Sequence, residues 1–293
     1  MCDESLGFKD NTDAFLKRTL EEDVPGLLDY LEPGAQVLDV GCGSGNITLD
    51  VATRVAPGAV VGVDVMAERI ANATRLAVER GIENVSFEAS DAHALRFADN
   101  SFDVAFSHTV LHSLIDPPTV LAEQKRVVRP GGWVIASGVR DWGFSPRYPA
   151  CPALEKVQRA WIRYHERLQS SYTAGERVPG RWERQLAEFR YVDLQTARKC
   201  ATWFYGAGLR ELRMAFTVET FEFAGSPEKA PSMTLIPPRD KGDDPLWDVY
   251  CDMIAEGFVE EADIERAADE VAAWYRDPDA FNLVGLLFVA GRA

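Results

Sequence analysis

The sequence predicts a doubly wound α/β fold: a mostly parallel, seven-stranded sheet with helices on both faces. Three observations predict it. Short apolar runs alternate with helical stretches through the first half of the chain. A glycine-rich turn joins the first strand to the first of these helices. An acidic residue lies within two residues of the end of each of the first three strands. Strands separated by helical crossovers lie parallel, and right-handed crossovers put a ligand crevice at their carboxyl ends.

The elements follow in order. Gln36 to Val40 reads as the first strand and Ser44 to Val55 as a helix. Val60 to Asp64 is a second strand; Ala67 to Arg80 is a helix stopped by Gly81. Val85 to Ala89 and Phe102 to Ser107 are strands three and four. Pro118 to Val128 is a helix, and Trp133 to Ser137 is strand five after the Pro130-Gly131-Gly132 turn. Asp193 to Tyr205 is helical, Leu209 to Phe223 alternates as strand six, and Asn282 to Ala290 is strand seven. The expectation is a single Rossmann-like domain with a helical cap at 1–35 and a cofactor core at 36–140. A lid insertion at 141–192 and a helical insertion at 224–280 fold over the ligand edge; 193–223 and 281–293 complete the sheet. Leu246 to Gly257 and Glu260 to Arg276 are the helices of the second insertion.

Composition narrows the function. The chain has 293 residues, 46 acidic against 31 basic, and a formal charge of −15. That balance argues against nucleic acid and anionic membrane surfaces, which need clustered Lys and Arg. No apolar run is long enough to span a bilayer, and Met1-Cys2-Asp3-Glu4 carries no apolar signal core. A cytoplasmic protein, monomer or homodimer, with a small-molecule partner is expected. The five cysteines lack Cys-x-x-Cys or zinc spacing, so neither a disulfide framework nor a metal site is expected.

The segment Val37 to Asn46 ends a strand and opens a helix. Its spacing, Gly41-x-Gly43-x-Gly45, is one residue short of the dinucleotide fingerprint. Asp39, two residues before the first glycine, would repel a pyrophosphate. It suits a ligand carrying an ammonium and a sulfonium, as S-adenosylmethionine does. Asp64, about 20 residues beyond the loop, lies where a carboxylate reaches ribose hydroxyls. Asp91, within Ser90-Asp91-Ala92, is placed for an adenine amino group. Each aspartate alone also suits a helix cap; three at successive strand ends favour the cofactor.

These residues, with Val61-Gly62-Val63-Asp64, Phe102-Asp103, Leu111-His112 and Leu121 through Arg129-Pro130-Gly131-Gly132, resemble class I S-adenosylmethionine-dependent methyltransferases of the ubiquinone/menaquinone-type branch. The match covers roughly the first half. The second half, with Arg140-Asp141-Trp142 and Ala197 to Gly208, more loosely resembles bacterial small-molecule methyltransferases and the fungal thiomethyltransferases that cap epidithiodiketopiperazine dithiols. The resemblance implies that Asp39, Gly41, Cys42 and Gly43 line the methionine end of the cofactor, with Arg18 on its carboxylate. It puts Asp64, Val65 and Met66 at the ribose and ring, Ser90, Asp91 and Ala92 at the adenine, and Ser107 and His108 beside the sulfonium. S-adenosylhomocysteine is then the product.

Methyl transfer from a sulfonium is an in-line displacement that rewards alignment and dryness. His112, His108 and Asp141 are the candidate bases, the two histidines being four apart on an expected turn and short helix. Trp142, Tyr148, Trp161, Tyr164 and His165 are candidate walls of an acceptor pocket; aromatics at helical spacing also suit a core. Asp116-Pro117-Pro118-Thr119 lacks the aromatic of the base- and glutamine-methylating signature, and the cysteines lack an arsenite-type arrangement. The acceptor atom is open among O, S, N and C, with a thiol weakly favoured because it ionises most readily. The alternatives are a catalytically silent S-adenosylmethionine-binding regulator and a nicotinamide-dependent oxidoreductase.

Overall fold

The computed structural model describes residues 18–114, 116–140, 147–180, 195–222 and 245–293. They form two compact units. One holds the described residues of Asn11–Arg140, Thr196–Thr217 and Leu286–Ala293; the other holds those of Asp141–Gln195 and Val218–Gly285.

The first unit is the sheet. Its strands are β1 (Gln36–Val40), β2 (Ala59–Asp64), β3 (Val85–Ala89), β4 (Phe102–His108), β5 (Val128–Arg140), β7 (Arg210–Glu222) and β8 (Phe281–Arg292). The order is β3-β2-β1-β4-β5-β8, with β7 also paired to β8. Pairs among β1 to β5 are parallel, and β8 runs antiparallel to β5. Successive residues enter opposite cores. Val37, Val104, Phe106, Ile135 and Ala290 join Leu27, Val51 and Val55 on one face. Leu38, Val40, Ala105, Val134, Ala136 and Val289 join Leu121, Phe204 and Leu209 on the other. Both faces are covered, which is why the strands read as continuous apolar runs rather than as alternation.

The helices of this unit are α1 (Leu20–Asp23), α2 (Asn46–Val55), α3 (Ala67–Arg80), α4 (Pro117–Val127) and α6 (Thr196–Gly206). Thr19 caps α1, its Oγ1 accepting from the Glu22 amide. Asp116 does the same for α4, with Pro117 in the first turn, where no amide is missed. α3 stops at Gly81 in the left-handed region.

In the second unit, α5 (Pro152–Thr173) packs on α8 (Glu261–Trp274) and α7 (Pro245–Ala255). Glu270 of α8 accepts from the Ala153 and Leu154 amides, capping α5 from outside its own chain segment. Lys156 pairs with buried Asp263 at 2.7 Å. A two-residue strand, β6 (Arg147–Tyr148), pairs with the start of β8.

Two differences from the sequence reading have physical causes. β6 is too short to leave a periodic signal. β5 starts at Val128 rather than Trp133 because the Gly131 amide and the Gly132 carbonyl both bond the terminal Ala293, which carries the ladder through the glycine turn. A register shift between Phe102 and Val104 absorbs the irregularity.

Candidate functional site

Strand order reverses between β1 and β4, so the switch-point crevice lies at their carboxyl ends. The glycine loop sits there. The Gly41 and Cys42 amides both donate to the Val63 carbonyl, tying the loop to β2. Gly41 has φ +80° and lies against the turn after β4; a Cβ on it would meet Val110 Cγ2. Gly45, φ +83°, abuts Ala73 and Phe87. Both positions need glycine for conformation and for room.

Asp39 is buried and its Oδ2 accepts from Thr48 Oγ1 at 2.6 Å. Burial pushes its carboxyl up to about 7; the Thr48 bond opposes the shift and the Asp64 charge adds to it. Burial, aided by the Asp39 and Asp64 charges, holds the Cys42 thiol far above the usual range, so it is no nucleophile. Asp64, also buried, splits its oxygens: Oδ2 accepts from the Gly43 amide at 3.1 Å and Oδ1 from the Met66 amide at 2.9 Å. Each oxygen keeps a lone pair for a diol. Val65 and Met66 beside it are exposed apolar side chains, an open surface for a ring.

Past β3, the Ser90 amide donates to the Asp64 carbonyl, and the buried Ser90 Oγ has no partner. Asp91 Oδ1 accepts twice from His93, from the amide at 2.9 Å and from Nδ1 at 2.8 Å. The turn is thereby fixed and Oδ2 is left for a ligand. Those His93 bonds outweigh partial burial and hold the Asp91 carboxyl below its usual range. His93 was no sequence candidate; its spacing from Asp91, the Asx-turn offset, was the available signal. Ala92 is half-buried between them.

At the end of β4, Ser107 is buried and His108 is the last strand residue. Thr109 follows at φ +58°, a left-handed conformation costly for a β-branched residue, on the order of 1–3 kcal/mol. Its amide donates to the Ser137 carbonyl, and Arg18 Nη1 donates to its Oγ1 at 2.9 Å. Gly138, φ +64°, faces the same turn, where a Cβ would strike Thr109 Cγ2 and His108 Cε1. His112 sits in a single helical turn, Leu111–Ser113. The two histidines therefore share no helix face, contrary to expectation: β4 runs one residue longer and takes His108. Nδ1 of each ring is enclosed without a partner, as is Ser107 Oγ. Burial, then the charges of Arg18 and Arg140, push His108 down to about 3 and His112 down to about 4. Both are neutral at pH 7 and weak as bases.

The remaining candidates lie elsewhere. Trp161, Tyr164 and His165 are buried on α5, where Trp161 meets Tyr250 and Tyr164 meets Phe258 edge-on. Tyr148 is exposed and stacks on Phe281. Asp141 and Trp142 lie outside the described residues. Among the described residues no cluster of His, Cys, Asp and Glu is arranged for a metal, and no helix is long and apolar enough to cross a membrane.

A switch-point crevice lined by a glycine loop and acidic strand ends defines a ligand-binding α/β domain. Comparison with known proteins places it further. The family model described as a methyltransferase domain matches residues 31–183, just over half of the chain, and the chain belongs to that family. It is 41% identical over 102 residues to the ubiquinone/menaquinone biosynthesis C-methyltransferase of Bdellovibrio bacteriovorus, covering 35% of this chain and 43% of that one. It is 35% identical over 129 residues to the nocamycin O-methyltransferase of Saccharothrix syringae, covering 41% and 46%. The chain thus spans less than half the length of these curated relatives. A putative methyltransferase from Bacillus halodurans shares the fold, with TM-score 0.55 at 16% identity over 92% of this chain and 98% of that one. The YcgJ protein of Bacillus subtilis does too, with TM-score 0.54 at 17% identity over 92% and 97%.

Proposed function

We propose that this protein transfers a methyl group from S-adenosylmethionine to a small-molecule acceptor. The observation that carries the reading is the pair Asp39 and Asp64, buried at adjoining strand ends around a glycine loop that holds no cation of its own. When bound, S-adenosylmethionine supplies an electrophilic methyl group on a sulfonium. The chain's part is to hold it: Asp39 faces its ammonium through the loop of Gly41, Cys42 and Gly43, and Asp64 takes the ribose diol. Val65 and Met66 cover the ring. Ser90, Asp91 and Ala92 read the adenine edge, and Arg18 takes the methionine carboxylate. Ser107 and His108 stand at the reacting end, with His112 on the acceptor side. Asp141, Trp142 and the insertions at 141–192 and 224–280 are assigned to acceptor recognition on sequence grounds alone. A cytoplasmic monomer or homodimer without nucleic-acid partners fits the acidic composition.

The test uses purified protein, methyl-labelled S-adenosylmethionine and a panel of carboxylic acids, enols, phenols, thiols and amines. Label on a small molecule supports the reading. Cofactor bound without transfer to any acceptor would favour the regulatory alternative, and nicotinamide binding in place of S-adenosylmethionine would overturn it.

A further inference from the structure

The turn that follows β4 has an unusual inventory. Ser107 Oγ, His108 Nδ1 and His112 Nδ1 are three polar atoms, each enclosed and each without a hydrogen-bond partner. Leaving a buried polar group unpaired costs about 1–3 kcal/mol apiece, so three of them gathered in one turn call for a further group, a ligand or ordered water, to complete them. They lie within six residues of one another: Ser107 and His108 end the strand paired to β1, and His112 sits in the helical turn just beyond it. The turn touches the glycine loop through Val110, so it borders the place assigned to the methionine end of the cofactor. Gly138 and Thr109 are both left-handed, and the missing Cβ of Gly138 leaves the His108 ring its room.

We propose that this turn is the acceptor subsite and that it takes an acidic oxygen nucleophile, a carboxylate or an enolate already ionised near neutral pH. The inference rests on the methyl-transfer reading above. The chemistry of the three groups decides the class. A hydroxyl and two neutral imidazoles can each donate one hydrogen bond to an anion. An oxyanion accepts such bonds strongly, whereas thiolate sulfur accepts them weakly. Arg18 and Arg140 both bear electrostatically on the two rings; that field favours an anion and disfavours an ammonium. The rings are too weakly basic to carry an acceptor's proton at neutral pH, so the proton must already be in bulk water. In the transfer, the oxygen–carbon bond forms as the carbon–sulfur bond breaks, the electron pair stays on sulfur, and no proton moves. This proposal takes oxygen where the sequence weakly favoured a thiol.

The test is binding to the complex with S-adenosylhomocysteine, followed by 15N-histidine NMR. The probes share one ring: benzoate, thiophenol, phenol and benzylamine. Benzoate should bind at least about tenfold more tightly than benzylamine and more tightly than thiophenol. It should shift the side-chain signals of His108 and His112, leaving His165 still. In His112→Gln and in Ser107→Ala, separately, the benzoate preference should shrink to less than about threefold. Benzylamine or thiophenol binding as well as benzoate, no detectable benzoate binding, or benzoate binding that leaves both imidazoles unmoved would overturn the proposal. Failure of the wild-type protein to bind S-adenosylhomocysteine would instead sink the methyl-transfer reading beneath it.

Discussion

Three histidines have a ring nitrogen shut away from solvent or a buried side chain: His108 ends β4, His112 lies in the short helical turn beyond it, and His165 is buried in the helical unit. Burial pushes all three down, His108 to about 3 and His112 and His165 to about 4. What separates them is the company they keep. His165 Nδ1 bonds the Trp161 carbonyl at 3.1 Å and its ring stacks on Trp161, while His108 and His112 leave Nδ1 unpartnered. The same contrast holds for buried acids. Asp263 in the helical unit is answered by Lys156 and Arg266; Asp39 in the sheet unit has a hydroxyl bond from Thr48 and the repulsion of Asp64. Burial alone marks a core, and a cluster of buried groups without partners asks for something more, a ligand or an ordered water. Gln124 on α4, wholly buried with neither amide atom bonded, is an exception that nothing in the structure explains.

Several substitutions sharpen or break this contrast. The largest effect is expected from Asp64→Ala, which removes the acceptor of the Gly43 and Met66 amides and the carboxylate proposed to take the ribose. Affinity for S-adenosylhomocysteine, read by calorimetry, should fall about 100-fold with the fold retained by circular dichroism. Next, His165→Ala should lower stability by about 2–4 kcal/mol in urea melts, since it opens a cavity and loses the Nδ1 bond to the Trp161 carbonyl. His112→Ala should cost less than about 1 kcal/mol yet slow transfer by about tenfold or more. Matching stability losses for the two would erase the distinction.

The acid limb follows from linkage. A histidine depressed in the native state is neutral there and protonated in the unfolded chain between its folded value and the ordinary 6.5. Stability should therefore rise with pH from about 4 to about 6.5 and be lost on acidification. Asp39 works the other way. Its carboxyl is raised, so the unfolded chain ionises first and stability drains as pH climbs from 3.8 towards about 7. Asp39→Asn should remove that loss, making the profile steeper below neutrality; melting temperatures at half-unit pH steps would show it. At pH 7 a cationic ligand should also draw the Asp39 carboxyl to its charged form and release about half a proton, visible as a buffer-dependent binding enthalpy. The smallest effect is expected from His93→Ala, which frees Asp91 and should weaken cofactor binding by about threefold.

Much of the sheet could be read directly. Strands buried on both faces leave apolar runs, and Gly81 and Asp116 announce a helix end and a helix start. The glycine loop was legible because positive φ and close approach to Val110 select for glycine. Less visible were pairings far apart in sequence: Arg18 with Thr109, Gly138 beneath His108, Glu270 capping α5. No local pattern records such contacts. The aromatic residues of α5 show the converse. Trp161, Tyr164 and His165 have helical spacing that suits a pocket wall and a core equally, and the structure places all three inside the helical unit.

The most direct test of the central claim is calorimetric titration of S-adenosylhomocysteine into the purified protein and into Asp64→Ala, both checked for folding. Tight one-to-one binding by the wild type, lost in the variant, is the predicted result. No binding by the folded wild type, or equal binding by both, would contradict the assignment of the β1 and β2 strand ends as the cofactor site.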